Sequence, residues 1–127
     1  MRRSLLTMMM VGALIAPGAA RAAITDDFQV RNTRDLLALC SAVPGSELYV
    51  AAINFCHGYG VGAFQYYQVL EATVPGHKFV CPPDPPPSRT AVIESFVQWA
   101  AAHPEHHEEP AVETIFRYLG ATYPCPK

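Results

Sequence analysis

Four cysteines constrain this chain more than any other feature. Cys40, Cys56, Cys81 and Cys125 all lie downstream of an apolar, arginine-headed start. None belongs to a C-x-x-C, so neither a thioredoxin-like redox pair nor the C-x-x-C-H of haem attachment is present. An even count in a small exported domain reads as two disulfides, each adding about 2–4 kcal/mol, a large share of what a small core supplies. Four cysteines allow three pairings, and all three are open at this point.

The amino terminus supplies the argument for export. Met1-Arg2-Arg3-Ser4 is a basic start, Leu5 to Ile15 carries no charge, and Ala20-Arg21-Ala22 has the small-x-small pattern that signal peptidase reads. The apolar run is short for a bilayer span, so a cleaved leader is expected over residues 1–22, with Ala20 and Ala23 as neighbouring cleavage positions. Residues 23–127 then form one small exported domain, with no membrane attachment after processing. Loss of Arg2, Arg3 and Arg21 leaves six basic residues against eleven acidic ones, a net charge of −5 with histidines neutral. That balance argues against nucleic acid and anionic membrane as partners and is compatible with a basic protein.

Prolines and glycines divide the mature chain into four segments that read as helices. Thr33 is expected to cap a short first helix bearing Leu36, Leu37, Leu39 and Cys40, stopped before Pro44-Gly45. Ser46 is expected to cap a longer second helix running to Thr73. Its apolar positions Leu48, Ala52, Phe55, Tyr59, Gly62, Tyr66 and Leu70 recur at three- and four-residue steps. Cys81-Pro82-Pro83-Asp84-Pro85-Pro86-Pro87 cannot be helix interior and predicts a stiff extended connector. Ser88 or Thr90 caps a third helix with Val92, Ile93, Phe96, Val97 and Ala100 on one side. Pro110 suits the start of a fourth that buries Val112, Ile115, Phe116 and Leu119, with Gly120 marking its end. No segment shows sustained strand alternation. The expected fold is all-α: four helices stapled by two disulfides.

If the third and fourth helices form an antiparallel hairpin, Cys81 and Cys125 arrive at the same open end. Their bridge is then geometrically natural and leaves Cys40 to pair with Cys56, although the other connectivities are not excluded.

Three stretches invite a chemical reading. His103-Pro104-Glu105-His106-His107-Glu108-Glu109-Pro110 has histidines four apart, as zinc-binding H-E-x-x-H helices do. Pro104, however, biases His103 away from helical geometry, and paired cysteines leave no thiolate, so a solvated helix corner at His103, Pro104 and Glu105 is expected, with no metal. Cys56-His57 places a thiol beside an imidazole, but adjacent helical side chains point about 100° apart and a disulfide removes the nucleophile. No catalytic residue and no cofactor are expected. Gly58 and Gly62 stand one turn apart beside Tyr59, a pattern that admits a close helix neighbour within the chain or, as a second use, a homodimer or partner interface. Tyr66 falls on the expected core face, whereas Phe64 and Tyr67 fall off it. With Gln65 and Gln68 these aromatics suit a protein–protein surface.

The ordered set of these features resembles a known family. L-L-x-L-C ending at Cys40, C-x-G-Y-x-x-G from Cys56 to Gly62, Cys81-Pro82, the His103-Pro104-Glu105 corner and Tyr123-Pro124-Cys125 together resemble the Rap/Tai immunity proteins. The likeness extends from about Thr33 to Cys125. It implies an exported helical protein of Gram-negative bacteria that occupies the active site of a peptidoglycan amidase effector delivered by type VI secretion, protecting the producing cell and its siblings. The proline-rich connector departs from the shorter turn of the family, and contact residues in the family vary with the effector, so none is carried over. Against this stand two other classes: an acid-stress or holdase chaperone whose histidines charge near pH 6, and an enzyme or metal carrier, for which the chain shows no paired acid and base.

Overall fold

Asn32, not Thr33, opens the first helix. A computed structural model describes residues 21–127, so most of the proposed leader lies outside the described residues. Helix α1 (Thr33–Cys40) begins where the Asn32 side chain accepts from the Asp35 N–H, one of the four N–H groups a helix start leaves unpaired. Two more of these groups find partners outside the helix, Thr33 N–H at the Glu109 carbonyl at 2.9 Å and Arg34 N–H at the His107 carbonyl at 3.0 Å, while Leu36 N–H makes the first internal bond, to the Asn32 carbonyl. The Thr33 hydroxyl is thereby free for another contact, a buried bond to Thr114 at 2.7 Å. Ahead of α1, a 3₁₀ helix spans Thr25–Gln29.

Helix α2 (Tyr49–Thr73) ends at the expected residue but starts three beyond Ser46, whose hydroxyl donates instead to the Val43 carbonyl in the preceding turn. Its buried face is Ala52, Cys56 and Tyr67, rotated from the expected one. Tyr66 is exposed and Tyr67 is inside, because the Tyr67 hydroxyl accepts from the N–H groups of Phe79 and Val80 at 2.9 and 3.0 Å. That phenol pins the segment leading into the proline connector.

Helices α3 (Arg89–Ala101) and α4 (Ala111–Thr122) form the expected hairpin. Ser88 caps α3 by accepting from Ala91 N–H, and Pro110 sits immediately before α4. The inward face of α4 is Ala111, Thr114, Ile115, Tyr118 and Leu119; Val112 is exposed, contrary to expectation. Gly120 does not end the helix, which continues to Thr122, and its bare backbone faces the Phe79 ring. Tyr118 bridges the hairpin, donating its hydroxyl to the Val92 carbonyl at 3.2 Å and packing edge-on against Phe96.

Both disulfides have the expected pairing. Cys40–Cys56 staples α1 to α2, and Cys81–Cys125 closes the open end of the hairpin, where Val80 and Pro124 form an isolated antiparallel bridge. The described residues are all-α apart from that bridge, and none of their helices is long and apolar enough to cross a membrane. The larger core cluster joins Leu36, Tyr67, Phe96, Ile115 and Tyr118. A smaller one gathers Ala23, Leu39, Ala42 and Ala52 under Phe28 and Phe55.

Candidate functional site: an apolar cleft and the outward face of helix α2

The histidine-rich corner is structural. Ala102 ends α3, and a 3₁₀ turn over Pro104–His106 carries the chain round to Pro110. The His103 ring stacks on Trp99 at 4.0 Å between centroids while its Nδ1–H donates to the Trp99 carbonyl at 2.7 Å. His107 Nε2–H donates to the Ala100 carbonyl at 2.8 Å, and His106 Nδ1–H to Glu109 at 3.1 Å. Glu105 projects into solvent beside His106. Each imidazole is thus spent on holding the corner, whose carbonyls in turn cap α1. Partial burial opposes ionisation of Glu109, but hydrogen bonds from His106 and Arg117 outweigh it and hold the carboxyl below the usual carboxylate range. Among the described residues no group of three or more His, Cys, Asp or Glu is placed to hold a metal ion.

The remaining feature of consequence is α2. From Tyr49 to Leu70 it contains no Asp, Glu, Lys or Arg, and its polar side chains other than tyrosines are Asn54, His57, Gln65 and Gln68. Helices this apolar are normally largely enclosed. Here one side is buried and the other faces outward, exposing Val50 (68%), Tyr66 (67%) and Val69 (55%). Gly58 and Gly62 lie on this outward side. A Cβ built on either would meet nothing within 4 Å, so the internal close contact expected at these glycines is absent among the described residues. Tyr59, between them, is half-buried and stacks with Phe55 at 6.3 Å, and burial pushes its hydroxyl above the ordinary phenol value.

Beside this face opens a cleft of about 340 Å³ between α2 and α3. Its depth is apolar, formed by Leu36, Phe64, Ile93, Phe96, Ile115 and Leu119. Polar groups stand near its mouth: Gln65 and Gln68 from α2 and Arg89 from the first turn of α3. No carboxylate lines it, and its two cysteines are joined to each other. Such a lining offers shape, apolar contact and a few hydrogen bonds, which is the chemistry of binding. The aromatic and amide cluster singled out in the sequence is divided here: Tyr67 in the core, Phe64 in the cleft wall, Gln65 and Gln68 at the cleft mouth, and Tyr66 on the exposed face of α2. Arg89 and the connector prolines Pro82 and Pro87, which border the same cleft, carry no sequence signal that would have placed them there.

A family model described as Rap1a immunity proteins matches residues 32–125, a span holding all four cysteines, the α2 glycines and the corner. No curated protein and no solved structure matches the chain.

Proposed function

The chain belongs to the Rap1a immunity proteins, and from that premise we propose that it is a non-catalytic periplasmic inhibitor of a peptidoglycan amidase effector delivered by type VI secretion. Its task is to prevent self-intoxication of the producing cell. The family match over residues 32–125 is the observation that carries this reading. Inhibition is steric: a surface stiffened by two disulfides occupies the groove of the amidase and excludes stem peptides. We place the contact on the outward face of α2 around Gly58, Gly62, Tyr66 and Val69 and on the adjoining cleft mouth. An uncharged, partly aromatic surface of this kind matches the centre of a protein–protein interface. Net negative charge elsewhere steers a basic effector toward it.

The test is capture from the source bacterium with oxidised mature protein as bait, followed by an activity assay. Recovery of a peptidoglycan amidase that is inhibited at near-equimolar ratio supports the proposal. An amidase encoded in the same strain that neither binds nor loses activity overturns it.

A further inference from the structure

Asp27, in the 3₁₀ helix ahead of α1, has no exposed surface. Its carboxylate accepts from the Ile24 N–H at 2.9 Å and from both ends of the Arg21 guanidinium, Nη1 to Oδ2 at 2.8 Å and Nη2 to Oδ1 at 2.6 Å. Arg31 and Asp35, at the start of α1, are paired with each other at 2.8 Å. Among the described residues Arg21 therefore supplies the ion pair on which this buried carboxylate depends. The segment it holds is built into the fold: Ala23 is buried with Leu39 and Ala52, and the Phe28 ring meets Phe55 edge-on at 5.4 Å.

Arg21 also lies inside the Ala20-Arg21-Ala22 processing pattern. On the reading of residues 1–22 as a cleaved leader, maturation removes the guanidinium. A buried carboxylate stripped of its cation is strongly destabilising. The same hydrolysis makes a replacement. Water adds across the Ala22–Ala23 amide, the C–N bond breaks, Ala22 leaves as a carboxylate, and the Ala23 nitrogen is protonated to an α-ammonium. Ala23 is one peptide unit, about 3.8 Å between Cα atoms, from Ile24, whose own N–H already rests on Asp27. We infer that Asp27 is the receptor for the mature amino terminus, exchanging the Arg21 guanidinium for the Ala23 α-ammonium when the leader is removed. The exchange fastens the new end of the chain to the smaller core.

The experiment uses the full chain exported by a Gram-negative host. Intact mass of the recovered protein is expected to correspond to Ala23–Lys127. Acylation of its α-amine at pH 7 is then followed by peptide mapping, with Lys78 and Lys127 as internal controls. An α-amine held as ammonium by Asp27 reacts about tenfold more slowly than the same amine in Asp27→Asn, equivalent to one pKa unit. Should Asp27→Asn fail to fold, titration of the isotopically labelled Ala23 nitrogen in the unaltered protein gives the answer, with a midpoint expected above the ordinary α-amino range. Equal acylation rates, or an ordinary midpoint, overturn the receptor. A mass beginning at Arg21 overturns the exchange, and an unprocessed mass overturns the leader reading on which it rests.

Discussion

The Thr33 hydroxyl donates to the Thr114 hydroxyl at 2.7 Å, with both residues wholly buried, and so locks the first turn of α1 to α4. Thr114 donates onward to the His106 carbonyl at 3.3 Å, so the pair also anchors the corner. Thr33→Val keeps the shape and removes this bond, with an expected loss of about 0.5–1.5 kcal/mol, since the Thr114 hydroxyl keeps the His106 carbonyl. Thr114→Val is expected to cost a similar amount, because the Thr33 hydroxyl can turn to the Glu109 carbonyl at 3.1 Å. The double substitution is expected to cost less than the two single losses together, since it removes both ends of one bond. Denaturant unfolding of the three variants measures this, and strict additivity would show that the hydroxyls act independently.

The two disulfides close loops of different length, with sequence separations of 16 for Cys40–Cys56 and 44 for Cys81–Cys125. Chain entropy alone puts their contributions at about 3 and about 4 kcal/mol respectively. Paired alanine variants are expected to lower the unfolding midpoint in that order. Inhibition of the effector should decline only as far as the folded fraction does. Reduced and oxidised protein with identical melting curves would contradict the claim that the staples supply stability.

Much of this architecture is legible in local spacing. The Ser88 cap, the Pro110 boundary and the disulfide pairing all follow from interactions between near neighbours or from hairpin geometry. The proline connector, expected to be extended throughout, instead bends at Asp84 and Pro85, whose peptide bond is cis. What escaped reading depends on distant partners. Asn32 displaces Thr33 as the cap because the Thr33 hydroxyl is engaged by a residue 81 positions away. The rotation of α2 is hidden because, from Tyr49 to Leu70, no charged residue marks an outer side. The Cys40–Cys56 bond and the N–H groups of Phe79 and Val80 select the inner one. Hence the two tyrosines fall the other way round from the expectation, Tyr66 outside and Tyr67 in the core. The short 3₁₀ helix at Thr25–Gln29 has no periodic signature and is held by the ion pair on Asp27.

Acid should weaken the fold through carboxylates. The hydrogen bond from Arg31 holds the Asp35 carboxyl below its ordinary value, and Glu109 is likewise lowered. A carboxyl whose folded value lies below its unfolded one contributes stability that is fully present above the unfolded value and is lost as pH falls through the folded one. Both contributions are therefore intact at neutral pH and fade below about pH 4. Melting temperature against pH is expected to fall in that acid range, with a shallower fall in Asp35→Asn. An acid-activated chaperone of the kind first weighed against this family would instead expose apolar surface near pH 6, measurable by dye binding.

Gly58 and Gly62 separate stability from function. Both are interior to α2 with open space where a Cβ would stand, so Gly58→Ala and Gly62→Ala should each stabilise the isolated protein by about 0.5–1 kcal/mol through helix propensity. If the glycines are kept bare so that an effector backbone can lie against α2, the same methyl groups should weaken inhibition while the melting temperature rises. Tyr66→Ala removes an exposed ring from the same face and is expected to change stability by no more than about 0.5 kcal/mol while reducing effector affinity at least about tenfold, as for an aromatic anchor. Melting curves and titration of amidase inhibition on the three variants decide the matter. Unaltered inhibition by all three would move the contact off α2, toward another surface of the domain.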